Sequence, residues 1–387
     1  MKVLYFGIYS KGKEYPRNNN LIRGLRLNGV EVIEAHYPLV GTFQQRLRVA
    51  QNFPALIVFG IQLLISFLVL SYKFFRAPPI DAIIVGNPGY FHIHLARLLC
   101  ILTRRRSLLI LDLFIPLYDA IVVDRKLFKT ESIAARSLHF FEGSGCRVAD
   151  LCLMDTQHHC NYLSAEYELP PDRIKRVFAG SVIGTKYASP PASINNDFKV
   201  LYVGTYIPLH GVDVILGAAR ILQNKPQIKF DLIGSGQMQS EMRQLAQEWK
   251  LTNVNFHAWI PTDQLGDVIR SYDLLLGVFG ATPKAARVIP LKIFDICACG
   301  MPFITSDTPA IREAFSHNKN AYLIPSNEPA ALAQAICHLK AAIDLRSQIA
   351  AGSLEMGKDR FAVEKLGQNL IEIIRKKIND RSSWRSH

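Results

Sequence analysis

The sequence predicts an α/β protein of two domains, each built on a parallel sheet covered by helices, and two observations carry that expectation. Its 387 residues exceed what one hydrophobic core commonly serves, so two cores of ordinary size are expected. Short apolar runs also alternate with helical patterns, the mark of a parallel sheet, and the alternation starts twice. The first series runs VLYFGIY then LIRGLRLNG, DAIIVGN then HIHLARLLC, and closes with SLLILDLF. The second runs KVLYVGTY, VDVILGAARIL, FDLIGSG, MRQLAQEWK, NVNFHAW, DLLLGVFG and MPFITSD. Between them the Pro-, Ser- and Asn-rich stretch YASPPASINND reads as a linker. The expected division is therefore domain 1–186, linker 187–197 and domain 198–387. A cleft between two such sheets gathers strand C-termini and helix N-termini, which makes it the natural ligand site.

Nearly half of the residues are apolar and a fifth are charged, which excludes long disordered segments. The net charge of +13 is uneven: residues 1–150 hold 19 basic against 10 acidic side chains. Such a field suits nucleic acid, anionic lipid or phosphorylated substrates. The basic residues flank apolar segments rather than interleaving with aromatics, and no recognition motif occurs, so nucleic acid is not expected as a partner. Residues 49–72 carry no charge and include FPALIVFGIQLLISFLVLSY, between Arg46 and Arg48 on one side and Lys73 and Arg76 on the other. The run is long enough to span a bilayer. It lies among the strands of the first domain, however, and a spanning helix would put the following sheet on the wrong side. A core or interfacial helix is therefore preferred over a membrane-inserted helix at 53–72, with Arg104 to Arg106 and the flanking cations meeting anionic headgroups. The expected location is cytoplasmic, peripheral at the inner face of the plasma membrane. Seven scattered cysteines read as reduced, and the cluster His158, His159, Cys160 reads as a surface loop, so no metal is expected.

Candidate chemistry concentrates in the second series. Gly204 ends one strand and Gly211 opens a helix, leaving backbone amides for an anion, and Gly234 and Gly236 form a second such loop. The stretch GVFGATPKAARVIPLKIFDICACGMPFIT, residues 277–305, then sets Lys292 and Asp295 three apart on one face of a helix starting near Pro290.

With Pro290, Lys292, Asp295, Gly300 and Pro302 in place, this segment resembles the donor-site signature of retaining GT-B glycosyltransferases, the family-4-like or group 1 class. The resemblance implies two Rossmann-like domains facing across a cleft, with a C-terminal helix crossing back to the first. It implies a nucleotide-sugar co-substrate, no cofactor, no metal and retention of configuration. Lys292 would neutralise the diphosphate and stabilise the leaving group, and Asp295 would accept hydrogen bonds from the ribose. The pattern has departures. The familiar glutamates eight apart become Arg287 and Asp295, and the Arg and Lys of the first turn become Thr205 and His210. Lys284 and Lys292 are then the expected diphosphate partners, with Arg287 either a third or a plain surface residue.

In the first domain, GIYSKGKEYPRNNNLIRGL resembles the family's first loop and offers Arg17 to donor or acceptor. In LLILDLFIPLYDAIVVDRK, Asp112 follows a strand and is the expected group that orients or deprotonates an acceptor hydroxyl, helix capping being the alternative. Asp119, Asp124 and Arg125 crowd the next loop as acceptor-binding candidates. His92 and His94, two apart, do not share a helical face, so at most one meets the cleft. An interfacial helix makes the expected acceptor a lipid-linked glycan, as in cell-envelope or extracellular polysaccharide synthesis. The rival reading is a scaffold of the same fold that lost catalysis; a nicotinamide-dependent oxidoreductase is disfavoured because neither half shows Gly-x-Gly-x-x-Gly.

Overall fold

A computed structural model describes residues 1–12, 16–38, 53–125, 127–183 and 197–383. The first sheet contains β1 Lys2–Gly7, β2 Glu31–His36, β3 Ala82–Val85, β4 Leu108–Asp112, β5 Leu151–Met154 and β6 Ile174–Arg176, in the order β2-β1-β3-β4-β5-β6. The second contains β7 Phe198–Val203, β8 Ile228–Ile233, β9 Val254–His257, β10 Leu274–Leu276, β11 Phe303–Ser306 and β12 Tyr322–Ile324, ordered β12-β11-β10-β7-β8-β9. Every pairing is parallel. β3, β4 and β5 are buried at every position, because helices cover both faces of the sheet, and this is why they read as unbroken apolar runs.

The first series does not close at SLLILDLF as the sequence suggested. β5 and β6 extend the sheet beyond it, and β2 adds an edge strand whose sequence EVIEAH is too polar for the same pattern. The linker read at 187–197 lies outside the described residues except for Asp197, as do Arg46 and Arg48.

The C-terminal helix Val363–Ser383 returns to the first domain and packs on the helix Arg17–Leu27. Leu370, Ile371 and Ile374 join Leu21, Ile22 and Leu25 in one core. Two glycines let the helices touch: a Cβ added to Gly367 would sit 2.1 Å from the Gly24 carbonyl carbon.

The apolar run forms the helix Phe53–Arg76 on the flank of the first domain. Ser66, Leu70 and Phe74 face inward and are buried, and the Ser66 hydroxyl lies 2.9 Å from His92 Nε2. Ile57, Ile61, Leu64, Leu68, Tyr72 and Phe75 point outward and are exposed, so this is not a core helix. His92 is fully buried, which pulls its pKa down to about 4 and keeps it neutral. His94 Nε2 lies 3.1 Å from the Ser144 hydroxyl. Both histidines therefore tie neighbouring helices together.

Candidate nucleotide-binding cleft

The C-terminal ends of β7 and β8 meet the helix Leu291–Cys299 in the second domain. Gly234, at φ +140°, passes so close to the first turn that a Cβ would lie 2.0 Å from the Gly204 carbonyl oxygen. Only glycine allows this approach. Beyond Gly204 the chain makes a short turn, Pro208–His210, and Gly211 in the left-handed region opens the helix Val212–Ile221. His210 Nδ1 stands 2.5 Å from the Thr205 carbonyl oxygen and 2.9 Å from the Tyr202 hydroxyl. Burial and then the charge of Lys292 hold its pKa well below the usual value, so His210 is neutral.

Lys292 occupies the centre of this arrangement. Its ammonium lies 3.6 Å from the centroid of the Tyr202 ring, and a Cβ on Gly204 would stand 2.5 Å from it. The nitrogen is buried without a hydrogen-bond partner among the described residues, and burial depresses its pKa well below the lysine range. An unpaired buried ammonium is costly, and a bound anion removes the cost. The ammonium adjoins the Gly204 turn, against which the Gly234 turn is packed, and a cation beside strand-end glycine turns is suited to phosphate.

Asp295 does not share this place. Its Oδ1 accepts hydrogen bonds from the Ser181 hydroxyl at 2.7 Å and the Val182 N–H at 2.8 Å, and burial raises its pKa to about 6. The expectation that it meets the ribose is corrected: three residues along a helix leave side chains about 60° apart, and that divergence sends Lys292 to the β7 turn and Asp295 to the segment leaving the first domain.

Asp112 is likewise not an open acid. Both its oxygens are held by Arg17, with Nε at 2.8 and 2.9 Å and Nη2 at 2.7 Å, and Arg17 Nη1 donates to the Val177 carbonyl at 2.6 Å. Burial raises the Asp112 carboxyl while Arg17 opposes it. The pair is sealed at 1% and 0% side-chain exposure, so neither residue faces an acceptor.

Asp119 opens a π-helical turn, Asp119–Asp124, and reaches across to the second domain. Arg287 Nη2 lies 2.5 Å and Lys284 Nζ 3.4 Å from its carboxylate, and His159 Nε2 approaches at 3.6 Å. Burial would raise the Asp119 pKa, but His159 and Lys284 outweigh it and hold the carboxyl at about 2. Lys284 and Arg287 thus form an interdomain ion pair rather than a cradle beside Lys292. His159, expected in a surface loop, is 1% exposed, with Nδ1 3.0 Å from Asp155. Burial lowers its pKa, yet the two carboxylates prevail and raise it. Asp124 is buried with one oxygen lacking a partner among the described residues, and Arg125 closes the turn half-buried.

Glu313, which the sequence reading missed, joins the domains as well. It accepts the Gln157 and His158 N–H groups at 2.8 Å, at the start of the helix Gln157–Glu166, and pairs with Arg176 at 2.9 Å. A carboxylate at a helix N-terminus is favourable, but a partner more than 130 residues away leaves no local signal. Tyr202 was missed because Lys292 lies 90 residues on, whereas Asp155, four residues before His159, stood within local reach. Among the described residues, no group of three or more His, Cys, Asp or Glu is arranged for a metal ion, and all seven cysteines are free.

Residues 186–353 match the profile of the family described as "Glycosyl transferases group 1", a span that contains both glycine turns, Lys292 and Asp295. That part of the chain is thus similar to the group 1 glycosyltransferases. The chain is 24% identical over 172 residues to the chitobiosyldiphosphodolichol beta-mannosyltransferase of Candida albicans, covering 42% of this chain and 37% of that one. It is 23% identical over 150 residues to an amylovoran biosynthesis glycosyltransferase of Erwinia amylovora, covering 38% and 37%. The matches thus span well under half of these two relatives. The whole architecture is similar to that of HepE from Anabaena, solved in complex with UDP, at 17% identity, a TM-score of 0.68 and coverage of 97% of this chain and 100% of that one. The fold around that segment is therefore GT-B, two Rossmann-like domains with the C-terminal helix returned to the first.

Proposed function

We propose that the chain transfers a sugar from a nucleotide-sugar held by the C-terminal domain to a lipid-linked glycan at the cytoplasmic face of a membrane, in cell-envelope or extracellular polysaccharide synthesis. The observation that carries this reading is the unpartnered, buried Lys292 ammonium against the Gly204 turn. The diphosphate would bind there, Lys292 would take up a proton, and its charge would stabilise the leaving nucleotide as the glycosidic bond breaks. Retention of configuration, which the family resemblance implies, and independence of metal and other cofactors, for which Lys292 would supply the positive charge, belong to the proposal. The UDP in the HepE crystals and the names of the two curated relatives support a nucleotide-sugar donor and a lipid-linked or polysaccharide acceptor. The exposed apolar stripe of Phe53–Arg76 supports an interfacial rather than spanning helix, because its other face is packed on the domain.

The test is thermal stabilisation by UDP-, GDP- and dTDP-sugars, comparing wild type with Lys292→Met. Stabilisation by one donor, lost in the variant, supports the reading; no response to any donor overturns it. A second reading, a scaffold that binds donor without turning it over, draws on the Arg287–Asp119 pair, which occupies the interdomain space. Donor hydrolysis or transfer by the wild type excludes it.

A further inference from the structure

The first domain carries a hollow of about 510 Å³ at the edge where β3 and β4 begin, lined by Ile80, Asp81, Arg105, Arg106, Ile378 and Arg381 among others. Parallel strands run from this edge toward the cleft, so the hollow lies at the opposite end of the sheet. It adjoins the end of the apolar helix. The Arg105 guanidinium lies 4.9 Å from the Phe74 ring and donates to the Ala77 carbonyl at 2.5 Å and the Pro78 carbonyl at 3.3 Å. The helix His92–Leu102 leaves Leu98, Ile101 and Leu102 exposed just before Arg104 to Arg106. An apolar surface therefore ends at a basic hollow.

The charges of the hollow are mostly committed. Arg381 pairs with Asp150, and Asp81 accepts the Lys2 N–H at 2.7 Å. Arg106 is exposed and has no ion-pair partner among the described residues. With Arg381 matched by Asp150, Arg105 and Arg106 against Asp81 still leave the hollow positive, and hydrocarbon-compatible side chains rim one side. That pairing of chemistries matches a lipid: acyl chains beside an anionic headgroup. A free phosphate matches the arginines but not the apolar rim.

We propose that this hollow binds the phosphate of an anionic membrane lipid, with Arg106 supplying the open charge and the stripe of Phe53–Arg76 lying in the interface. The site rests on the interfacial reading of that helix. It would anchor the end of the domain remote from the cleft, so that a helix of about 36 Å lies flat between headgroup site and acceptor entrance.

Flotation of the full chain with vesicles of phosphatidylcholine, alone or mixed with phosphatidylglycerol, tests it with Arg106→Glu and Arg104→Glu. The second variant changes net charge equally but lies outside the hollow. Arg106→Glu is expected to weaken binding to the anionic vesicles about tenfold and to leave binding to the neutral ones unchanged, with Arg104→Glu costing about twofold at most. Equal losses in the two variants, or none, overturn the headgroup site while leaving the interfacial helix intact. Absence of wild-type binding to any vesicle overturns both. Saturable binding of inorganic phosphate lost in Arg106→Glu, with vesicle binding unchanged, makes the hollow a soluble-anion site and also overturns the proposal.

Discussion

Two buried cations, one in each domain, have opposite surroundings. Arg17 is sealed against Asp112, its Nε donating to both carboxylate oxygens and its charge matched, although Nη2 makes no hydrogen bond among the described residues. Lys292 is only half-buried as a residue, but its ammonium is shielded and has only the face of Tyr202 and the turn at Gly204 beside it. The difference teaches that burial of charge is not itself a sign of function. A matched pair holds a fold together, and the unpaired Lys292 is the group to which the proposed donor diphosphate would supply the missing partner.

Breaking the matched pair has the largest expected effect. Asp112→Ala leaves a buried guanidinium alone and should cost about 3–5 kcal/mol in urea unfolding. Donor-induced stabilisation of the variant that remains folded should persist. An Asp112→Ala protein as stable as wild type breaks the comparison.

Asp295 comes next. Its carboxyl moves from an ordinary 3.8 to about 6 in the folded protein. A raised acid binds more protons folded than unfolded, so its contribution is fully present below the unfolded pKa and is lost as pH rises through 6. Across that window the change is up to about 3 kcal/mol. Asp295→Asn should flatten wild-type stability between pH 4 and 6 by that margin, measured by denaturant midpoints. Donor affinity should stay within about twofold, whereas a large loss would return Asp295 to the ribose.

Lys292→Met should keep or raise stability and weaken donor binding by about 1.5–3 kcal/mol, the worth of hydrogen bonds to a charged group. Because its pKa is depressed when unliganded, donor binding should take up a proton and weaken as pH rises. Calorimetry in buffers of different ionisation enthalpy measures the uptake; none would mean the lysine is already charged without donor.

A last effect concerns the domain contact. Asp119→Asn removes the buried charge shared by Arg287, Lys284 and His159 and should loosen the closed arrangement. A larger radius of gyration in solution scattering is the readout, and an unchanged one assigns the closure to Glu313 instead.

The sequence was most legible where structure is local. Strands β3, β4, β7 and β8, the helix His92–Leu102 and the helix opened by Pro290 follow from runs of apolar residues, glycine turns and a proline at an N-terminus. β2 and β6 escaped because edge strands keep polar residues. That Gly204 and Gly234 end strands and that Lys292 opens a helix was legible, since a glycine turn and a proline-started helix are short patterns. The direction of each side chain was not. Asp295 and Lys292 share a helix yet separate, and Arg17 meets Asp112 across 95 positions.

Periodicity and turn chemistry within about twenty residues thus determined two parallel sheets, a basic first half, an apolar helix and glycine turns at strand ends. Only the tertiary structure decided which charges were used up. It turned Asp295 onto Ser181, closed Asp112 on Arg17, buried His159 between two aspartates and left Lys292 open. The physical reason is that the energy of a buried charge depends on what stands within a few ångströms of it, and those neighbours come from distant parts of the chain.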